Sequence, residues 1–193
     1  MTSQTARTRY PKGAARREAI LVIALQCFAD LGYHGTSMRE VARRADLSQA
    51  GLLHYFPSKE DLFLAVLRER QQIDTRDYRG EQDAVGSLVQ AVRRNATIPG
   101  LVRLYMHLLD VAADSDPTRD YFEKRYDLAR SLIGSHIRDA QREGTVRADL
   151  DPVVAAQSLI AVADGMQVQW LLDGTQEMSQ PIELIWRLMQ NQN

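Results

Sequence analysis

Ser48, Gln49, His54 and Tyr55 stand within one eight-residue stretch, with the small residues Ala50 and Gly51 between them. Their chemistry is hydrogen bonding rather than bond making: hydroxyl, amide and imidazole groups on a backbone thinned by small side chains. A short helix that lies in the major groove of duplex DNA needs this composition. Small residues allow close approach, and a few polar side chains near the helix start reach base edges. No catalytic set stands beside it. The chain has no GxGxxG, Walker A, HExxH, CxxC or GxSxG pattern. His34, His54, His107 and His136 lack paired metal-ligand spacing, and helix capping accounts for Asp149 and Asp151. The expectation is a protein that is not an enzyme and holds no metal or cofactor.

The elements that must position these groups can be read from their punctuation. Thr36 to Phe56 reads as two short helices joined by a tight turn. Ser37 and Glu40 form a capping box. Val41, Ala42 and Ala45 give an apolar stripe, with Arg39, Arg43 and Arg44 pointing elsewhere. Asp46-Leu47 makes the turn, Ser48 caps a second helix from Gln49 to Tyr55, and Pro57 ends it. This is the pattern of a helix-turn-helix, and the plain alternative is an ordinary helical hairpin in a core. A first helix, Ala14 to Leu31, buries Ile20, Ile23, Ala24, Cys27, Phe28 and Leu31 along one face, and Gly32 stops it. Arg16 and Arg17 near its start either touch the DNA backbone or are solvated. A further helix starts at Ser58. Glu60 and Asp61 suit its dipole whereas Lys59 does not, and Leu62, Phe63, Val66 and Leu67 bury it.

In this order and spacing the segments resemble the TetR family of bacterial transcriptional regulators. The resemblance runs from Arg16 to Leu67: F-A-D-L-G-Y at Phe28 to Tyr33, G-T-S-M-R-E-V-A at Gly35 to Ala42, L-S-Q-A-G-L-L-H-Y-F at Leu47 to Phe56, and S-K-E-D-L at Ser58 to Leu62. Ala50 and Leu53 stand where many members carry Gly and Tyr, and the second departure removes one habitual phosphate contact. The H-Y-F ending is similar to a subgroup that includes choline-pathway repressors. The resemblance implies that Ser48, Gln49, Ala50, Gly51 and His54 face base edges, and that Thr36, Ser37, Tyr55 and Lys59 hold phosphates, with Arg39 in the same set. It further implies a homodimer on an inverted-repeat operator and an unidentified small-molecule effector.

The chain has 193 residues, 45% of them hydrophobic and 25% charged, as in soluble globular proteins. A lone cysteine, Cys27, excludes an internal disulfide and suits a reducing compartment. No apolar run approaches the ~18–20 residues that span a bilayer. The expected location is therefore cytoplasmic and nucleoid-associated, in a bacterium, with no membrane partner. The net charge of −1 divides unevenly: residues 1–72 hold eleven Lys/Arg against seven Asp/Glu, and residues 73–193 thirteen against eighteen. A basic head on an acidic body suits a module that meets phosphates and a body that does not.

The expected architecture is all-α: a disordered basic arm at 1–13, a helix-turn-helix domain at 14–74, and a helical ligand-binding and dimerisation domain at 75–193. Asp74 to Gln82 reads as a polar joint. Helices follow at about Asp83–Ala96, Gly100–Asp114, Pro117–Glu143, Pro152–Asp173 and Pro181–Gln190. The helix from Pro152 is apolar nearly all round, so one side should meet the chain's own core and another a second subunit. With the last helix it assigns Leu159, Val162, Met166, Trp170, Ile182, Ile185, Trp186 and Met189 to a dimer interface. In the helix from Gly100, Arg103, His107, Asp110 and Asp114 share one stripe, read either as solvated or as a polar strip in a ligand cavity. On the second reading Arg103, Tyr105, Met106, His107, Tyr121, Phe122, Tyr126, Gln167 and Trp170 line the cavity. Two other functions fit the same features: a helical small-molecule-binding or scaffold protein without operator binding, and a DNA-binding activator.

Overall fold

The computed structural model describes residues 9–78, 83–98 and 100–191, with side chains from 13 to 72 and from 83 onward. Among the described residues the architecture is helical: α1 (Arg9–Gly35), α2 (Met38–Arg44), α3 (Gln49–Tyr55), α4 (Lys59–Tyr78), α5 (Ala84–Thr97), α6 (Leu101–Val111), α7 (Asp116–Arg142), α8 (Pro152–Leu172) and α9 (Gln180–Met189). The chain divides into two compact units. One holds the residues up to Arg70 with those from 99 to Leu104, and the other holds Gln71 to Ile98 with Tyr105 onward.

In the first unit, α1 presents Ile20, Ala24, Cys27 and Phe28, α2 presents Val41 and Ala42, and α3 presents Leu52, all buried. Phe28 meets Phe63 of α4 edge to face, with ring centroids 5.4 Å apart. Gly32 breaks α1 at φ 69°, a left-handed conformation glycine adopts without a Cβ penalty. Gly100 is fixed more tightly: a Cβ there would lie 2.8 Å from Ala29 Cα, and its φ is +79°. Two expectations about the termini of these helices need correction. Residues 9–13 belong to α1 rather than to an arm, because Pro11 falls in the first turn, where a missing N–H is no loss. The polar residues 74–78 continue α4, which meets no glycine before Gly80. Residues 1–8 of the expected arm and residues 79–82 of the expected joint lie outside the described residues.

The second unit is built on α7 and α8, with α5 and α9 packed around them. Ile133, Ile137, Ala156, Leu159, Ala163, Val85, Val92 and Ile182 form its buried centre. Local signals set the helix ends. Asp83 caps α5 by accepting from Val85 N at 2.9 Å, and Asp151 caps α8 by accepting from Val153 N at 2.7 Å. α7 starts one residue before the expected Pro117: Ser115 is the N-cap and Asp116 is already helical. α6 stops at Val111, three residues before the expected Asp114, and a turn follows. An isolated bridge between Val146 and Gln190 ties the chain after α9 to the α7–α8 loop.

Candidate functional site

Two places gather hydrogen-bonding side chains in a form that suits a ligand: the exposed face of α3 and a cavity in the second unit.

α3 buries Leu52 alone. Gln49, Ala50, Leu53 and His54 recur at i, i+1, i+4 and i+5, and all four are exposed, Leu53 at 39%. Ser48 Oγ caps the helix by accepting from Gly51 N at 3.0 Å. A Cβ on Gly51 would lie 3.2 Å from that oxygen, so the glycine serves the cap as well as any close approach from outside. The turn before α3 passes through Asp46 at φ 52°, a left-handed position that aspartate tolerates better than most residues. Leu53 was missed as a surface group. Its signal lies in the register, one position beyond the only buried residue of the helix.

Several cations and hydroxyls expected to meet phosphates are engaged within the head itself. Thr36 is 1% exposed, and its hydroxyl lies 2.7 Å from Gly32 O and 3.1 Å from Cys27 O, its single proton shared between the two carbonyls. Its side chain is therefore a buried tie between α1 and the start of α2, with little surface to offer a phosphate. Lys59 Nζ donates to Tyr33 O at 2.8 Å and Thr36 O at 3.1 Å and lies 4.1 Å from the Tyr33 ring centroid. That answers why a lysine stands in the first turn of α4: it neutralises the carboxyl end of α1. Burial lowers the ammonium pKa there. Arg16 similarly donates to Ala45 O at 2.7 Å, behind α2.

The capping box is half formed. Ser37 Oγ accepts from Glu40 N at 3.1 Å, but the Glu40 carboxylate turns to Arg43 Nε at 2.8 Å and Arg44 Nε at 2.8 Å. Those bonds hold Glu40 down at about 2. Arg44 also reaches Asp30 at 2.5 Å. Ser37 and Arg39 are exposed and Tyr55 is half-buried, so these side chains border the α3 face with solvent access. Cys27 is free and buried, and burial raises its thiol.

The second place is a cleft among α5, α7 and α8 with the start of the second unit's part of α6, with ≈ 890 Å³ of empty space including its open mouth. Its lining is hydrocarbon at Leu88, Val92, Leu132, Ile133 and Ile160. Its polar groups are Asn95, Tyr105, Arg125, Tyr126, Asp164 and Gln167. Tyr126 donates to Asp164 Oδ2 at 2.7 Å, so the 3.0 Å contact between the two hydroxyls is Tyr105 donating to Tyr126. Gln167 Nε2 reaches Asp164 Oδ1 at 3.4 Å. The Arg125 guanidinium carbon is 5.3 Å from the centroid of the Tyr105 ring. Burial pushes the Asp164 carboxyl up, against the bond from Tyr126 and the charge of Arg125. Burial also raises both tyrosines.

Of the nine residues expected here, Tyr105, Tyr126 and Gln167 line the cleft. Tyr121 and Phe122 are buried against each other, 5.1 Å between centroids, and Trp170 packs on the core of the second unit. Arg103 is exposed and belongs to the first unit, and Met106 and His107 are half-buried outside the lining. The expected stripe is thus solvated at Arg103 and Asp110 on α6 and at Asp114 in the turn after it. Arg125 and Asp164 were missed. For Asp164 a signal existed, since it is the only charged residue in the 21 residues of α8.

The expected interface residues sort by burial. Leu159 and Ile182 are 0% exposed within the chain's own core and have no surface to offer a partner. Val162, Met166, Trp170, Ile185, Trp186 and Met189 pack partly against that core. The open apolar groups of α8 and α9 are Val153, Val154, Val168, Leu172, Leu184 and Leu188, with Leu172 at 87%. Val154, Ser158, Ala161, Gly165, Val168 and Leu172 recur every three and four residues along the outer side of α8, the spacing of a helix-pairing seam.

Residues 20–66 match the profile of bacterial regulatory proteins of the tetR family, and residues 81–185 match the C-terminal profile of BetI-type transcriptional repressors. The chain is 48% identical over 56 residues to the HTH-type transcriptional regulator RutR of Escherichia coli K12. That match covers 29% of this chain and only 26% of RutR. It is 29% identical over 157 residues to the HTH-type transcriptional repressor Rv1474c of Mycobacterium tuberculosis, over 79% of this chain and 81% of that one. Among solved structures, a transcriptional regulator from Saccharomonospora viridis in complex with choline is similar at a TM-score of 0.76 and 26% identity, over 93% of this chain and all of that one. A TetR transcription regulator from Haloarcula marismortui shares the fold at a TM-score of 0.82, with 19% identity over 92% of this chain and all of that one. Among the described residues no helix is long and apolar enough to cross a membrane, and no three metal-ligating side chains cluster.

Proposed function

The chain belongs to the TetR family of bacterial transcriptional regulators, and we propose that it is a homodimeric repressor whose hold on its operator is released by a small molecule. The observation that carries this reading is the α3 face: a capped two-turn helix with a single buried side chain and four exposed ones. Gln49 and His54 take base edges, and Ala50 and Leu53 offer methyl-sized contacts of the kind that meet thymine. Ser37, Arg39 and Tyr55 take phosphates and set the register. One such helix reads few base pairs, so two are needed, on half-sites spaced by whole turns of ~34–36 Å. The outer seam of α8, with Leu184 and Leu188 of α9, pairs the two chains.

The cleft takes the effector. Its largely apolar lining and its few convergent polar groups have the form of small-molecule sites in general, and a similar regulator solved in complex with choline supports a small-molecule ligand. α6 connects the two sites along one backbone: Tyr105 lines the cleft, and the preceding residue, Leu104, is buried and belongs to the first unit. A ligand that prefers one arrangement of that helix shifts the population of head spacings, and a coupling of ~1–3 kcal/mol is enough for a switch. A protein of this kind works in the cytoplasm on the bacterial nucleoid.

The test is binding to the duplex upstream of the protein's own coding sequence at rising salt. A steep fall in affinity and a protected site that survives excess unrelated DNA are expected. Equal binding to any duplex would reject the repressor reading. No binding at low salt would leave the helical small-molecule-binding protein as the better account.

A further inference from the structure

Resting on the reading of the α5–α7–α8 cleft as the effector site, we propose that Arg125 fixes the charge of the ligand: the cleft takes an amphipathic carboxylate with a hydrocarbon body and rejects quaternary and protonated amines.

The groups at the polar end of the cleft are already arranged around a cation. Tyr105 offers an aromatic face of the kind that holds an ammonium group, and the chain's own guanidinium stands 5.3 Å from its centroid. The acceptors that an incoming cation would use are engaged as well. Asp164 Oδ2 accepts from Tyr126 at 2.7 Å, and Oδ1 faces Gln167 Nε2 at 3.4 Å. A ligand amine entering here would place a second positive charge beside one carboxylate, against walls that are mostly hydrocarbon.

An anion meets the opposite situation. Guanidinium presents five N–H donors in a planar fork that fits the two oxygens of a carboxylate. The two charges of the site also differ in what they can give up. A guanidinium keeps its proton in proteins, so a cationic ligand leaves its excess charge unrelieved. Asp164 is a buried carboxyl already pushed towards its neutral form, so it can take a proton when a second carboxylate arrives. Leu88, Val92, Ile133 and Ile160 then face the hydrocarbon body.

The experiment compares three eight-carbon competitors below their micellar concentrations: octanoate, octanol and octyltrimethylammonium. Each displaces N-phenyl-1-naphthylamine, a neutral apolar dye whose emission rises on entering a dry cavity. The full-length protein and its Arg125→Gln variant are compared. In the native protein octanoate should displace the dye at a concentration about tenfold below octyltrimethylammonium, the scale of one charge-assisted bidentate contact. In Arg125→Gln the preference should collapse or invert, while octanol keeps the same midpoint in both proteins. Octyltrimethylammonium competing as well as octanoate in the native protein, or a ratio unchanged by Arg125→Gln, would overturn the proposal while leaving the cleft as the site. Failure of either protein to take up the dye, or uptake unaffected by filling the cleft with Ala163→Trp, would instead sink the cleft reading and the proposal with it.

Discussion

Lys59 grips Tyr33 twice: its ammonium donates to the Tyr33 carbonyl at 2.8 Å and lies 4.1 Å from the centre of the Tyr33 ring. One side chain at the start of α4 thereby closes the end of α1. Replacing it with methionine keeps the stem and removes the charge. Lys59→Met should destabilise the protein by about 1–2 kcal/mol, the combined scale of a helix-end charge and a partly desolvated cation–π contact. Thermal unfolding measures this. An unchanged melting temperature with a salt slope of DNA binding lowered by one would return Lys59 to the phosphate set.

Thr36 makes the parallel case for a hydroxyl. Thr36→Val keeps the shape and removes the hydroxyl that bridges the Gly32 and Cys27 carbonyls. A loss of ~1–2 kcal/mol in stability is expected, with the salt dependence of DNA binding unaltered. A change in that dependence without a change in stability would show the hydroxyl reaching DNA after all.

These two residues show where sequence reading reached its limit. The caps at Ser37, Ser48, Ser58 and Asp151 were legible because a cap is a bond to an N–H two or three residues away. The break at Gly32 was legible for the same local reason. The internal bonds of Thr36 and Lys59 were not legible because those partners lie 9 and 26 residues distant, and no periodicity reports such a pairing. Likewise the apolar circumference of α8 marked it as a helix buried on more than one side. It could not separate Leu159, which faces inward, from Val154, which faces out. In the cleft, Tyr105 and Tyr126 were found as aromatics at helical spacing, whereas Arg125 and Asp164 became partners only when α7 packed on α8.

Asp164 gives a prediction in pH. Its carboxyl is raised by burial, so the native state binds that proton more tightly than the unfolded chain does. The stabilisation from this group is complete below the unfolded carboxylate pKa near ~4 and is lost as pH rises through the higher folded value. At neutral pH the charged form is therefore a burden on the fold. Asp164→Asn can still accept from Tyr126, and it should be as stable as the native protein or more so at pH 7, with the difference shrinking towards pH 4. Melting temperatures across that range check it. A variant less stable at pH 7 than at pH 4, relative to the native protein, would contradict the assignment.

Gly165 lies in the outer seam of α8, and a Cβ added there meets nothing within 4 Å inside the chain. Gly165→Glu should therefore leave the fold intact, and the helix gains by about 1 kcal/mol or less from losing a glycine. Two such helices facing each other would place two carboxylates at the seam, so the variant should sediment as a single chain where the native protein sediments as a pair. A variant that remains a dimer would move the pairing surface off this face.

The central claim is that α3 reads bases, and selection of bound sequences from a randomised duplex pool tests it most directly, with native protein and Gln49→Ala side by side. The native protein should enrich an inverted repeat. Gln49→Ala should lose ~1–3 kcal/mol of discrimination at one symmetric position in each half-site while keeping the others. An unchanged motif would remove Gln49 from the readers, and a pool with no enriched motif for the native protein would contradict the account as a whole.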